Sequence, residues 1–210
     1  MLAFYEFHKA YNGHTILRLP DFTINPGVYW IRGHNGAGKS TFLKTVAGIL
    51  PFEGDITLDN QLTLKKHPTA YRSRVNFAEA EPIFPDFLTG TELIRLFKSA
   101  KQAPAQQEEQ YVESMGMAPY VSDPISTYSS GMLKKLALVL AFLGRPRCIL
   151  LDEPLTTLDA DSLPVLFAWI AEQHQAGTMF LLSSHQELEN DLLPNVRKIV
   201  VAGATLHHTV

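Results

Sequence analysis

The chain has 210 residues, of which 46% are hydrophobic and 19% are charged, and this composition excludes a largely disordered protein. Its 18 basic and 21 acidic side chains give a net charge of −3, which argues against a nucleic-acid binder and excludes a polybasic membrane anchor. A single cysteine, Cys148, excludes an internal disulfide and predicts a reducing, cytosolic compartment. The longest apolar run, residues 136–143, is too short to cross a bilayer, so we expect any work at a membrane to need a partner.

In chain order, the pattern predicts strands, then helices, then strands alternating with helices. Residues 3–64 indicate mostly short strands with turns at residues 12–13 and 25–27, interrupted by one helix that begins near Lys39. Residues 89–143 indicate helices, the first of them opened by Thr89 and Glu92 at capping-box spacing. Apolar strands at residues 148–151, 179–182 and 199–201 then alternate with helices at about 161–175 and 186–193. This alternation predicts a parallel α/β sheet covered on both faces, with the middle helices inserted into it.

A glycine-rich segment between the strand at residues 28–31 and the helix after it matches the P-loop pattern. Its glycines let backbone N–H groups converge on a triphosphate, and the helix N-terminus adds a partial positive charge. Lys39 is expected to reach the outer phosphates and the Ser40 hydroxyl to bind Mg²⁺. The alternative is an ordinary glycine-rich turn, which the Lys-Ser pair and the flanking elements disfavour. The predicted nucleotide-binding residues here are Gly33, His34, Asn35, Gly36, Ala37, Gly38, Lys39, Ser40 and Thr41.

The apolar strand at residues 148–151 ends in two adjacent acids, Asp152 and Glu153. Carboxylates at the end of a buried parallel strand lie on the sheet edge where ligands bind. Asp152 is a candidate to hold Mg²⁺, directly or through water, and Glu153 is a candidate base for the water that attacks the γ-phosphate. A solvated strand end is the alternative, but a P-loop in the same chain favours the catalytic interpretation.

Residues 128–132 (Tyr-Ser-Ser-Gly-Met) open a helix with one apolar stripe, about twenty residues before the acidic strand. They resemble a variant of the signature motif of ABC transporter ATPase subunits, and the resemblance to that family extends from about Phe4 to Gly203. Residues 155–159, ending in Asp159, resemble its D-loop, and residues 183–185, ending in His185, resemble its switch-histidine loop. Tyr11 matches the aromatic residue that stacks on adenine, although it is also compatible with an ordinary strand aromatic.

The resemblance implies an α/β fold, with a P-loop NTPase core around a mostly parallel sheet, an N-terminal antiparallel β-subdomain and an inserted helical subdomain. It implies one domain over residues 1–210. The core and β-subdomain would occupy residues 1–80 and 145–210, and the helical subdomain with the signature motif would occupy residues 86–144. ATP and Mg²⁺ are the implied cofactors, and a second ATPase subunit is the implied partner in a homodimer that would enclose ATP at two composite sites.

The same resemblance implies roles for the remaining motif residues. In the homodimer, each ATP would lie between one subunit's P-loop and the other's signature motif. His185 would contact the γ-phosphate, and Asp159 would link the two sites across the interface while also being able to cap the helix after it. The signature residues that would contact the partner's ATP are Ser129, Ser130, Gly131 and Met132.

Two departures from the family pattern bear on the chemistry. The signature usually reads Leu-Ser-Gly-Gly-Gln, so Ser129 and Gly131 are kept while the other three residues differ. The loop that joins the subdomains normally begins with a glutamine, and residues 77–85 contain none. Either Glu79 or Glu81 could supply the missing oxygen to Mg²⁺, at the cost of added negative charge, or both could be merely solvated. An apolar patch at the end of this loop and just after it, formed by Phe84, Pro85 and Phe87, is either core or part of a groove for a permease helix.

Together the motifs predict the ATP-binding and ATP-hydrolysing subunit of an ABC transporter, which would power a separate transmembrane permease through nucleotide-driven dimerisation. Such a protein would be cytoplasmic and held at the inner face of the cell membrane by the permease, with no nucleic-acid partner. One alternative is a non-transport ABC-type ATPase, which the single cassette and the net charge of −3 disfavour. The other is a weakly hydrolysing nucleotide-binding regulator, which the missing glutamine suggests. It is disfavoured by four intact motif residues, Lys39, Asp152, Glu153 and His185.

Overall fold

A computed structural model describes residues 1–184 and 195–209. Within them the chain forms two β-sheets and six α-helices. The strands are β1 (Leu2–Tyr11), β2 (His14–Ile24), β3 (Val28–Arg32), β4 (Glu53–Leu58), β5 (Leu62–Thr63), β6 (Val75–Ala78), β7 (Cys148–Leu151), β8 (Met179–Ser183), β9 (Arg197–Ala202) and β10 (Thr205–Thr209). The helices are α1 (Lys39–Val46), α2 (Pro68–Arg74), α3 (Gly90–Lys101), α4 (Gln107–Ser114), α5 (Ser130–Phe142) and α6 (Ser162–Gln175). The helix predicted at residues 186–193 lies outside the described residues.

The central sheet has the strand order β10-β9-β3-β8-β7-β6, and every neighbouring pair is parallel except β10 with β9. Alternate side chains of its inner strands belong to different cores, so both faces are covered: Ile149 and Leu151 pack in one cluster, and Cys148 and Leu150 in the other. The predicted α/β class is confirmed. The edge strands β6 and β10 were not predicted, because each is short and β10 is polar on its outer positions.

The second sheet is antiparallel, with the order β2-β1-β4-β5. The turn predicted at Asn12-Gly13 is confirmed as the β1–β2 hairpin, where both residues have positive φ angles of 49° and 80°. The prediction of mostly short strands was wrong for β1 and β2, which have 10 and 11 residues. Register shifts in the pairing of β1 with its neighbours accommodate this length. One shift, in the pairing with β4, lies opposite Gly54, where a β-bulge gives Glu6 a φ of 46°.

The segment between β6 and β7 is helical, as predicted, and contains α3, α4, a 3₁₀ turn at Ile125–Thr127, and α5. The capping box predicted at the start of α3 is present, since Thr89 and Glu92 exchange side-chain and backbone hydrogen bonds. We expected one apolar stripe on α5, but seven consecutive residues from Leu136 to Phe142 are buried. The reason is that α5 packs between the other helices and the central sheet, and a helix enclosed on all sides is apolar all round.

Replacing Gly54 by alanine should destabilise the protein by about 3 kcal/mol, because its φ of 80° is strained for an L-residue and its new Cβ would lie 2.3 Å from the Glu6 carbonyl oxygen. Gly13 provides a matched control. It has the same φ of 80° with no atom within 4 Å of an added Cβ, so alanine there should cost about 1 kcal/mol. Urea unfolding of both variants measures the difference, and equal losses would contradict the close approach of β1 and β4.

Candidate active site

The P-loop connects β3 to α1, and its glycines have a backbone that other residues adopt only under strain. Gly36 and Gly38 have φ angles of 79° and 102°, and Gly38 is the N-cap of α1. An added Cβ at Gly38 would lie 2.8 Å from the Ile16 side chain of β2. The loop and Ile16 line an open cavity of about 220 Å³ at the N-terminus of α1. A helix N-terminus beside such a loop is suited to bind phosphate groups.

Lys39, the first residue of α1, is buried, and its Nζ donates to the backbone carbonyls of Gly33 at 2.8 Å and His34 at 3.2 Å. Its ammonium group therefore lies inside the curve of the P-loop, within reach of anything bound there. The His34 ring hydrogen-bonds the Asn35 carbonyl at 2.7 Å, so this side chain lies along its own loop. The predicted phosphate-binding residues are thus brought together.

Asp152 follows β7 and is buried, with 2% of its surface exposed. Its Oδ1 accepts hydrogen bonds from the hydroxyl of Ser40 at 3.0 Å and from the hydroxyl of Ser183 at 2.6 Å. The P-loop, β7 and β8 therefore meet at one carboxylate oxygen. Mg²⁺ prefers hard oxygen ligands such as a serine hydroxyl and a carboxylate, so Ser40 and Asp152 fit that ion.

Glu153 is nearly buried and has a left-handed backbone with a φ of 45°. Its N–H donates to the Ser183 hydroxyl at 3.0 Å, and its carbonyl accepts from the Thr156 hydroxyl at 2.7 Å. A non-glycine residue in this conformation is held there by its surroundings, and such strain is concentrated at functional sites. The backbone of Glu153 is thus held on both sides of its Cα atom.

The two loop glutamates have different surroundings. Glu79 follows β6 and forms an ion pair with Lys44, which lies one turn after Ser40 on α1. Glu81 is exposed. Glu79 therefore lies against the face of α1 that carries Ser40, and the ammonium group of Lys44 offsets its negative charge.

The signature segment begins α5. Ser129 is its exposed N-cap and accepts from the Met132 N–H at 3.2 Å, while the Ser129 N–H donates to the Met132 sulfur at 3.5 Å. A Cβ at Gly131 would lie 3.0 Å from the Thr157 carbonyl oxygen, so α5 begins directly against the segment that resembles the D-loop. Ser130 is also exposed, and this helix N-terminus is open to solvent.

Asp159 lies in that D-loop-like segment. Its carboxylate accepts from Lys135 at 2.7 Å and from the N–H of Ser162, the first residue of α6, at 2.9 Å. The N-cap residue of α6 is Asp161, so the prediction of Asp159 as the N-cap was wrong. The hydrogen bond from Lys135 lowers the pKa of Asp159 to about 2, and the bonds to Ser162 act in the same direction. Asp159 is therefore charged and tied to α5 within its own chain.

The other two predicted residues lie apart from this cluster. Tyr11 ends β1, is 42% exposed, and has the Lys9 ammonium 4.2 Å from its ring centroid. His185 lies outside the described residues. The stacking role of Tyr11 and the γ-phosphate role of His185 stay predictions.

Sequence reasoning assigned no role to two polar residues at this site, although Ser183 lies in the segment that resembles the switch-histidine loop. The first is Ser183, whose buried hydroxyl contacts both Asp152 and Glu153. The second is Lys134, whose ammonium donates to backbone carbonyls at the ends of β6 and β7. Burial lowers the pKa of Lys134 to about 8, against the attraction of the nearby carboxylates. A helical wheel could have found Lys134, because it shares a face with Leu138 and Ala141.

A nucleotide-binding loop at the switch from strand to helix, with acidic residues at the end of a neighbouring parallel strand, defines a P-loop NTPase. The family model described as ABC transporter matches residues 17–156. The chain therefore belongs to the ABC transporter family and is an ATPase domain of that family.

Two curated relatives illustrate the range of proteins that this chain resembles. ATP-binding cassette sub-family A member 7 of Mus musculus is 33% identical over 186 residues, which are 86% of this chain and 9% of that protein. The chain thus spans less than a tenth of that relative's length. Cytochrome c biogenesis ATP-binding export protein CcmA of Haemophilus influenzae is 29% identical over 166 residues, which cover 78% of each protein.

Solved structures share the fold. An ATP-binding subunit of an ABC transporter superposes with a TM-score of 0.90 at 24% identity, covering 100% of this chain and 90% of that one. A dimeric ATP-binding cassette in a post-hydrolysis state, bound to ADP and phosphate, gives a TM-score of 0.80 at 19% identity, covering 100% of this chain and 98% of that one.

Across residues 1–184 and 195–209, no helix combines the length and apolar character that a membrane crossing requires.

Replacing Ser183 by alanine should lower kcat for ATP hydrolysis about tenfold with little change in ATP affinity. The hydroxyl orients Asp152 and Glu153, and a hydrogen bond to a charged group contributes about 1.5–3 kcal/mol. Steady-state hydrolysis and nucleotide titration measure the two effects. Thr178→Val is the control, because it removes a buried hydroxyl just before β8, far along the strand from the carboxylates. A kcat equal to that of this control would contradict the role of Ser183.

Replacing Lys135 by methionine should raise the pKa of Asp159 from about 2 toward its ordinary value of 3.8, because the strongest stabilising contact of the carboxylate is lost. Since the folded-state pKa is depressed, the contact stabilises the fold above about pH 4 and is lost as the pH falls through about 2. Carbon NMR of the Asp159 carboxyl group against pH measures the shift. Lys98→Met, which breaks an ion pair between α3 and Glu108, should leave this titration unchanged. An unaltered Asp159 titration in Lys135→Met would disprove the pairing.

Proposed function

We propose that this chain is the ATP-hydrolysing subunit of an ABC transporter. It powers a separate membrane permease when two copies of it, each with bound nucleotide, form a closed dimer. The observation that carries this proposal is the convergence of Ser40, from the P-loop, and Ser183 on one oxygen of Asp152, beside the fixed backbone of Glu153. Membership of the ABC transporter family supports it.

The exposed signature segment supports the paired arrangement. Ser129 and Ser130 lie in solvent at a helix N-terminus, where a partner's γ-phosphate would meet backbone N–H groups and a favourable dipole. A related solved structure is a dimer that holds ADP and phosphate. In a symmetric pair each of the two sites would take its P-loop from one copy and its signature motif from the other. Asp159 would lie between them.

Within each site the residues have separate tasks. Lys39 leaves the P-loop carbonyls to bind the outer phosphates, and Glu153 accepts the proton of the attacking water. His185 holds the γ-phosphate, and Tyr11 stacks on adenine. Mg²⁺, held through Ser40 and Asp152, would neutralise phosphate charge.

Glu79 takes the place of the glutamine that this family normally has in the loop between the subdomains. Its ion pair with Lys44 supports this choice over the exposed Glu81, because the lysine offsets the added negative charge near the phosphates. We assign the ATPase core and the β-subdomain to residues 1–80 and 145–210, and the helical subdomain to residues 86–144.

The permease would dock between these parts. A cavity of about 110 Å³ lies beside the loop, lined by Phe77, Phe84 and Phe97 among others. Ile83, which also lines this cavity, and Phe87 are 91% and 82% exposed, which is unusual for large apolar side chains and typical of a protein-binding surface. The permease would hold the chain at the cytoplasmic face of the membrane.

Replacing Glu153 by glutamine should lower ATP turnover at least a hundredfold while leaving ATP binding intact, because the amide fills the same space but is a poor base. ATP-dependent dimers should accumulate and be detected by analytical ultracentrifugation. Lys39→Ala should instead abolish nucleotide binding, and Glu172→Gln on the exposed face of α6 should behave as wild type. Normal turnover in Glu153→Gln would refute the base, and a monomer with bound ATP would refute the pair.

A further inference from the structure

Lys134 is the most deeply buried lysine among the described residues, with 1% of its surface exposed. It lies on α5, five positions after Ser129. Its Nζ donates to the carbonyls of Ala80 at 2.6 Å and of Glu79 and Glu153 at 3.1 Å, and it lies 3.5 Å from the carbonyl of Asp152. The acceptors belong to two separate segments, one after β6 and one after β7.

A charged amine without water is costly unless hydrogen bonds replace its hydration shell. The carbonyls around Lys134 supply that replacement, so the lysine is stable only where both strand ends lie at their present distance from α5. The same hydrogen bonds also constrain the backbone that accepts them. They fix the segments that begin with Glu79 and Glu153 relative to each other and to the helix that begins with the signature motif.

The contact with Glu153 bears directly on catalysis. Glu153 has a φ of 45°, and its carbonyl accepts from the Thr156 hydroxyl at 2.7 Å as well as from Lys134. These two donors fix the carbonyl, while Ser183 fixes the N–H at 3.0 Å. A left-handed backbone at a non-glycine residue relaxes when such contacts are removed. Relaxation would turn the carboxylate away from the water that it is to deprotonate.

We propose that Lys134 is a positioning residue for ATP hydrolysis, which holds the peptide unit of Glu153 in its strained conformation and locks the end of β6 beside it. The inference rests on the proposed role of Glu153 as the base. Lys134 is 1% exposed and, unlike Lys39, does not line the P-loop cavity, so we do not expect it to contact the nucleotide. Its loss should therefore slow the chemical step without weakening ATP binding.

Lys134→Met tests this, because methionine has a similar length and tolerates burial. We expect kcat to fall about tenfold or more, since a small displacement of a catalytic group has an effect of that order, with the ATP dissociation constant unchanged. Lys134→Arg, which keeps the charge and the donors, should recover part of the lost kcat. Nucleotide titration and steady-state hydrolysis on the intact protein give both quantities.

Lys101→Met is the matched control. Lys101 lies on α3, and its Nζ also donates to two backbone carbonyls, those of Arg72 and Val75, but away from the carboxylates. Burial lowers the pKa of Lys101 to about 8, as it does for Lys134, so the two lysines are similarly desolvated. Its replacement should reduce stability in urea and leave kcat unchanged.

Thr156→Val tests the same carbonyl of Glu153 without disturbing the buried cation, and it serves if Lys134→Met does not fold. It should lower kcat and leave ATP affinity unchanged. The inference is overturned if Lys134→Met or Thr156→Val keeps the wild-type kcat, if Lys101→Met loses as much, or if ATP affinity falls with kcat. A wild-type kcat in Glu153→Gln would instead overturn the proposed base, so the two failures are distinguishable.

Discussion

The buried carboxylate of Asp152 is the group on which the arrangement of the site depends. A charge with 2% exposure needs donors, and here Ser40 and Ser183 both donate to one of its oxygens. Ser40 is the second residue of the helix after β3, and Ser183 ends β8. Because β3, β8 and β7 are consecutive parallel neighbours, their carboxyl ends meet at one edge of the sheet. The hydrogen bonds at Asp152 therefore place the P-loop against the acidic strand end.

Cations and backbone carbonyls balance the charges around this carboxylate. Lys39 donates to the P-loop carbonyls, Lys44 pairs with Glu79, and Lys134 donates to the ends of β6 and β7. Each ammonium group has partners within the protein. Lys39 lines the P-loop cavity, where a triphosphate would compete with the carbonyls for it, whereas Lys134 does not line that cavity. This division separates a lysine suited to bind phosphate from one suited to hold the backbone.

Helix α5 connects two surfaces that would belong to different active sites in a dimer. Its N-cap Ser129 and its first residue Ser130 are exposed, a Cβ at Gly131 would lie 3.0 Å from the Thr157 carbonyl oxygen, and Lys135 forms an ion pair with Asp159. Four to five residues further on it is buried, where Lys134 contacts the carboxylate-bearing strand ends. Helix α5 thus joins the signature segment to the hydrogen bonds that hold the backbone of Glu153.

The sequence by itself determined the P-loop, the capping box at Thr89, the hairpin at Asn12-Gly13 and the alternation that predicts a parallel sheet. These features follow from residues close together in the chain, where backbone φ preferences and short-range hydrogen bonds decide the conformation. Only the tertiary structure decided the partners of Asp152 and of Lys134. Ser40 and Asp152 are 112 positions apart, and Lys134 is 54 positions from Ala80. Contacts of that range depend on strand order and helix packing, about which local sequence patterns carry no information. The groups that orient Glu153 could therefore be identified only from the assembled sheet.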